Sequence, residues 1–131
     1  MNPAVQEAIH EIEATYAGHR VEAVEDGEGG AFVRVHDLSF GTQYKPATGW
    51  VTFRINHNYP HADIYPHHLP ADVARVKGDT LGEAFHKQDM QLGQFKGSTT
   101  TVSRKSNRWN PAQDTAAIKL QKVLDWIQSR P

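Results

Sequence analysis

The sequence contains no cysteine. Without a thiol, the chain forms no disulfide bond, no thiolate metal site and no cysteine nucleophile. Two explanations remain open: the natural protein has no cysteine, or a single reactive cysteine has been replaced. In either case, the sequence as it stands excludes chemistry that depends on a thiolate.

Long apolar runs are also absent, so we expect no membrane-spanning segment. The N-terminus lacks the basic and apolar regions of a signal peptide, which favours a cytoplasmic location. The chain has 131 residues, of which 38% are hydrophobic and 22% charged. This length and composition predict one globular domain over residues 1–131.

Basic residues are scarce in the first three-quarters of the chain and acidic residues are scarce in the last quarter, although the net charge is only −1. Residues 1–95 carry seven Lys/Arg against thirteen Asp/Glu, whereas residues 96–131 carry seven against two. The basic group around Arg104, Lys105 and Arg108 therefore suggests an electrostatic partner. An ordinary solvated helix face beside a basic loop gives the same distribution.

The pattern over the first half predicts a helix followed by strands. A helix over 3–17 has one apolar stripe, with Asn2 as its cap. Strands are expected at 20–24 and 31–36, around a glycine-rich turn. A third strand at 50–56 alternates between apolar and polar residues, and a short fourth lies within 62–69. Pro66 would restrict that strand to an edge or a bend.

The second half has one clear element. Residues 70–101 show weak periodicity and predict a long polar loop with a helical turn near 79–86. The last helix is expected to start with Asn110 as its cap and Pro111 in its first turn. The fold class is therefore α+β: an N-terminal helix, a four-stranded antiparallel meander, a long loop and a C-terminal helix.

Two motifs lie at particular places in this frame. Phe53-Arg54-Ile55-Asn56-His57-Asn58-Tyr59-Pro60 runs from the third strand into a Tyr-Pro turn, and Trp109-Asn110-Pro111 precedes the last helix. In this order the chain resembles the ubiquitin-conjugating enzymes (the UBC fold) over residues 3–129. It is most similar to divergent bacterial members, which act in ubiquitin-like modification pathways, often within antiviral defence clusters.

The resemblance implies particular partners and a particular position for the nucleophile. The partners would be a ubiquitin-like protein, its activating enzyme and a JAB-type peptidase from the same operon. The family's cysteine lies eight positions before the Trp, which is Thr101 here. Tyr59, Pro60 and Trp109, with Arg104, Lys105 and Arg108, would lie in the partner-binding region.

The departures from the family pattern concern catalysis. No His-Pro-Asn motif precedes Thr101, and a threonine hydroxyl without an adjacent base is a poor nucleophile. The chain as written should therefore carry no thioester. His86 is a candidate general base, because histidine titrates near neutrality; an exposed loop histidine is the alternative.

The remaining constellations predict neither a metal nor a cofactor. His57 and His61 have i, i+4 spacing, which suits zinc only on a helix, and Asn58-Tyr59-Pro60 disfavours a helix there. Arginines beside Trp109 could bind nucleic acid, but the charge of −1 and the absence of a known motif argue against it. Three hypotheses result: a UBC-like pathway component, a non-catalytic binding module with that fold, and a nucleic-acid-binding accessory protein.

Overall fold

The computed structural model describes residues 1–131 as two helices and eight strands. In chain order these are α1 (Pro3–Thr15), β1 (Val21–Glu25), β2 (Ala31–Ser39), β3 (Tyr44–Lys45), β4 (Thr48–Ile55), β5 (His67–Pro70), β6 (Ala74–Arg75), β7 (Phe85–Leu92), β8 (Phe95–Val102) and α2 (Ala116–Ser129). The α+β class predicted from the sequence is confirmed.

Six of the strands form one antiparallel sheet in the order β1-β2-β4-β5-β8-β7. Its first four strands lie in chain order, as expected of a meander, except that β3 intervenes between β2 and β4 and pairs with β6 in a separate two-stranded sheet. Val51, Phe53 and Ile55 of β4 are fully buried in one cluster with the apolar stripes of α1 and α2. Both helices therefore cover the same face of the sheet, and the expected core of the central strand is confirmed.

The segment expected to be a long loop is instead largely a β-hairpin. β7 and β8 pair over their whole length, and the expected helical turn at 79–86 is absent. The sequence pattern misled because β7 is an edge strand: its residues 86–89 are all exposed and polar. Such a strand shows no apolar alternation from which it could be recognised.

The hairpin turns back over the sheet face that the helices leave open. Met90 and Phe95 are buried there, and the ring of Phe95 lies 4.6 Å from the guanidinium carbon of Arg34. At the hairpin turn, Gly93 has φ +60°, and a Cβ there would lie 3.0 Å from the ring of Phe32. The tip of the hairpin thus closes a second, smaller core.

Two further expectations were wrong. The fourth sheet strand, β5, lies inside the sheet between β4 and β8 rather than at an edge. It begins directly after Pro66, so this proline removes no hydrogen bond from the ladder.

The final helix begins at Ala116, with Thr115 as its cap, and not at Pro111. Asn110 accepts a hydrogen bond from the N–H of Ala112 and so closes a separate turn. Thr115 lies five residues after Asn110, directly before the buried Ala116 and Ala117, and its side chain accepts from the N–H of Ile118.

Neither α1 nor α2 is long and apolar enough to cross a membrane.

Candidate functional site

A basic cleft lies where the segment between β8 and α2 meets α2. Its volume is about 430 Å³, and its lining includes five cationic side chains: Arg104, Lys105, Arg108, Lys119 and Lys122. Ser106, Asn107, Asp114 and Val123 complete the wall. The structure thus brings the three predicted basic residues together and adds two lysines from α2.

The base of the cleft is a buried ion pair. The ammonium of Lys119 lies 3.1 Å from Asp63 and donates to the hydroxyl of Ser106 at 2.7 Å. Asp63 also accepts from the backbone N–H of Ser106 at 2.7 Å, and the side chains of Lys119 and Asp63 are only 5% and 9% exposed. Asp63 therefore ties the connecting segment to α2 at a single fixed point.

Burial and hydrogen bonding act in opposite directions on this pair. Burial lowers the pKa of Lys119, and the partly compensating contact with Asp63 does not restore it. For Asp63, burial alone would raise the pKa, but the hydrogen bonds from Ser106 and Lys119 outweigh it, so the pKa lies below its usual range. The pair is thus a buried carboxylate held opposite an ammonium.

Other contacts shape the rim of the cleft. The guanidinium carbon of Arg104 lies 4.3 Å from the centre of the Trp126 ring, within the range of a cation–π contact. Lys122 lies 3.5 Å from Asp114. Arg104, Lys105 and Arg108 form no salt bridge, so their charges are available to a ligand or partner.

The Tyr-Pro and Trp-Asn-Pro motifs meet in space. The indole N–H of Trp109 donates to the carbonyl of Pro60 at 2.6 Å, and the hydroxyl of Tyr59 accepts from the N–H of Ala116 at 3.2 Å. Tyr59 is buried and Trp109 is half-buried, so both serve internal contacts. Of these three predicted partner-binding residues, none lines the basic cleft.

Thr101 lies outside the basic cleft as well. It is 1% exposed near the end of β8, and its hydroxyl lies 3.2 Å from Nδ1 of His68. Thr99 approaches the same nitrogen at 3.2 Å, and burial lowers the pKa of His68. His86 is exposed on β7 and pairs with Thr101 across the two strands. The position expected for a nucleophile is therefore occupied by a buried hydroxyl.

Four histidines, His57, His61, His67 and His68, lie within twelve residues of the sequence. No group of three or more His, Asp or Glu side chains is arranged to hold a metal ion. His57 and His61 are exposed in the turn after β4, whereas His67 is fully buried and packs its ring 5.1 Å from that of Phe53. Neither ring nitrogen of His67 has a hydrogen-bond partner.

Sequence reasoning missed the base of the cleft. A signal did exist: Lys119 occupies a position three residues after Ala116 and four before Val123, on the apolar stripe of α2. A cation on a buried stripe requires a buried acid nearby. Nothing in the sequence identified Asp63, 56 positions earlier, as that acid.

The chain matches no protein-family model, no curated protein and no solved structure.

Proposed function

We propose that this protein is a non-catalytic, UBC-like component of a ubiquitin-like modification pathway, which docks an acidic partner in its basic cleft. The observation that carries the proposal is the cluster of Arg104, Lys105 and Arg108, whose charges have no acidic neighbour within salt-bridge distance. Exposed cations of this kind steer an acidic partner and set its orientation. The partner is a ubiquitin-like protein or its activating enzyme.

The UBC-like part of the proposal is supported by how the two motifs meet. The Trp109–Pro60 and Tyr59–Ala116 hydrogen bonds join the turn after β4 to the start of α2. These are the two regions on which the resemblance rests. The meander of β1, β2, β4 and β5 is compatible with the same frame.

The non-catalytic part is supported by the surroundings of Thr101. A transfer enzyme needs a nucleophile that the activated carbonyl can reach, and 1% exposure prevents such an approach. The hydroxyl is also engaged with His68 in a buried network. A cysteine at this position would be a buried thiol, which is generally inert.

The test combines binding with a cysteine scan. The purified chain is titrated calorimetrically with the ubiquitin-like protein and the activating enzyme of its own gene neighbourhood. We expect saturable binding to one of them that weakens as salt is added. In parallel, single cysteines at 99–103 are incubated with activating enzyme, ATP and ubiquitin-like protein on non-reducing gels.

Each result bears on a separate part of the proposal. A reductant-labile adduct at Thr101→Cys would overturn the non-catalytic role. If neither the ubiquitin-like protein nor the activating enzyme bound, the proposed place in the pathway would be overturned. The alternative of nucleic-acid binding rests on the same three cations, of which Arg104 stacks on the ring of Trp126. It would replace the proposal if single-stranded oligonucleotides bound in place of both proteins.

A further inference from the structure

We infer that the basic cleft is a binding site for a phosphate monoester, such as a phosphorylated side chain on the docked partner. This inference deepens the proposed docking role and rests on it only for the identity of the partner. The ligand chemistry follows from the cleft itself: its charges, its hydrogen-bond donors and its fixed shape.

The first argument is the balance of charge. Asp63 offsets Lys119, and Asp114 lies beside Lys122. Arg104, Lys105 and Arg108 keep uncompensated charges in one cleft. A single carboxylate would neutralise only one of these three, whereas a phosphate monoester carries about −1.5 to −2 at neutral pH and neutralises more of them.

The second argument is the supply of donors. Arginine donors pair with two oxygens of a phosphate at once, and a cleft that carries two arginines suits this geometry. Asn107 also lines the cleft, and neither its backbone N–H nor its side-chain amide makes a hydrogen bond within the protein. These groups can donate to phosphate oxygens without breaking an internal contact.

The third argument is that the cleft is held in shape before a ligand arrives. Asp63 binds Ser106 through both its N–H and its hydroxyl, the latter at 3.1 Å, and so anchors the centre of the 104–108 segment. Trp126 supports the guanidinium of Arg104 from beneath. Prior ordering of this kind lowers the entropic cost of binding.

The surroundings of the cleft favour one phosphate group over a nucleic-acid backbone. At about 430 Å³ the cleft has room for a phosphate group and part of the molecule that carries it. The residues before position 96 carry a net charge of −6, which disfavours an extended basic surface that follows successive phosphodiesters. The positive charge of the cleft and the negative charge of the remaining chain together favour a phosphate monoester as the ligand.

The experiment is an NMR titration of the uniformly ¹⁵N-labelled chain in phosphate-free buffer. Inorganic phosphate and phenyl phosphate are added, with sodium acetate and sodium chloride at matched ionic strength as comparisons. We expect saturable shifts of the backbone amides of 104–108 with the two phosphates and only small linear shifts with acetate or chloride. Affinity for phenyl phosphate should fall below about pH 6, where the monoester gains a proton.

Variants assign the effect to the cleft. Arg108→Gln should weaken phenyl phosphate binding about tenfold, because loss of one charge-assisted bond exceeds 1.4 kcal/mol. Arg108 is exposed and makes no internal bond, so this variant should fold normally. Lys77→Gln, an exposed cation outside the cleft, is the matched control and should bind as the parent does.

The source of the phosphate is distinguished by two further ligands. A phosphothreonine peptide and adenosine monophosphate are compared, and tighter binding of the peptide identifies a partner side chain. Equal shifts with acetate, an unchanged affinity of Arg108→Gln, or binding of a phosphodiester oligonucleotide alone would each overturn the inference. The phosphate titration contains no ubiquitin-like protein. Failure of the titration therefore leaves the proposed pathway role standing, and its success does not establish that role.

Discussion

His67 is the residue for which burial has the clearest consequence. Its ring is fully buried, both nitrogens lack partners, and its charged or titratable neighbours are Lys119, Asp63 and His68. Burial, with a smaller effect of Lys119, lowers the pKa of His67 to about 3. The folded protein therefore holds this histidine neutral down to about pH 3.

This environment predicts a pH dependence of stability. Below about pH 6.5 the unfolded chain binds a proton at His67 that the folded chain refuses until about pH 3. The free energy of unfolding must therefore fall as the pH falls through that window. Between pH 7 and pH 5, this one group should cost about 2 kcal/mol.

Urea unfolding of the parent and of His67→Leu at both pH values measures the contribution. The leucine variant should lose about 2 kcal/mol less between pH 7 and pH 5. An identical loss in both proteins would show that His67 is not the group responsible.

Thr101 makes a second prediction, about the network in the smaller core. Replacing it by valine keeps the shape but removes one of the two hydroxyls near Nδ1 of His68. Thr101→Val should lower the free energy of unfolding by about 0.5–1.5 kcal/mol, the usual net worth of such a bond. Thr48→Val, at an exposed position of β4, is the control, and an equal effect at both sites would contradict a buried network.

The elements differ in how much of them could be predicted, and the reason is local chemistry. The buried residues of α1 and β4 recur at the period of a helix and of a strand, so both elements were predictable. β7 faces solvent along its edge, and its polar residues carried no such pattern. The interior place of β5 depends on pairing with β8, whose residues lie 29 to 35 positions later in the chain, and no local signal encodes such a pairing.

The candidate site shows the same division. The basic residues from Arg104 to Arg108 could be predicted from the sequence, because these cations lie close together in the chain. The acid at the base of the cleft was not visible, because Asp63 lies 56 positions before Lys119 and the two meet only in the folded chain. Thr101 was identified as the nucleophile position from its spacing to Trp109, and this spacing gives no information on whether the side chain is buried.

One side chain at the start of α2 both caps that helix and bonds to α1. The hydroxyl oxygen of Thr115 accepts from the N–H of Ile118 at 3.2 Å, and the same hydroxyl donates to Glu11 of α1 at 2.5 Å. Thr115→Ala should destabilise the protein by about 1–2 kcal/mol, because the cap and the bond to α1 are lost together.

Thermal unfolding measures this effect, and Thr115→Ser is the matched control because it keeps the hydroxyl. A serine variant as unstable as the alanine variant would show that the methyl group, and not the cap, matters.

Across the whole molecule, the charge is divided so that one basic cleft stands on an otherwise acidic body. Such an arrangement accelerates encounter with an acidic partner and fixes its orientation, while it repels the remainder of that partner's surface. The effect should be seen in the association rate more than in the dissociation rate. It should also diminish as salt screens the charges beyond about 10 Å at 0.1 M.

The double variant Lys105→Glu/Arg108→Glu tests this division of charge. Both side chains are exposed and unpaired, so the fold should be retained while the cleft loses its net positive charge. At low salt, the association rate with the cognate ubiquitin-like protein or activating enzyme should fall by about 10- to 100-fold, and the difference should shrink as salt is added. Stopped-flow mixing over a range of salt concentrations measures both.

Lys45→Glu/Lys77→Glu makes the same change of net charge outside the cleft and should have a much smaller effect. Equal slowing by both double variants would mean that total charge, and not the cleft, guides association.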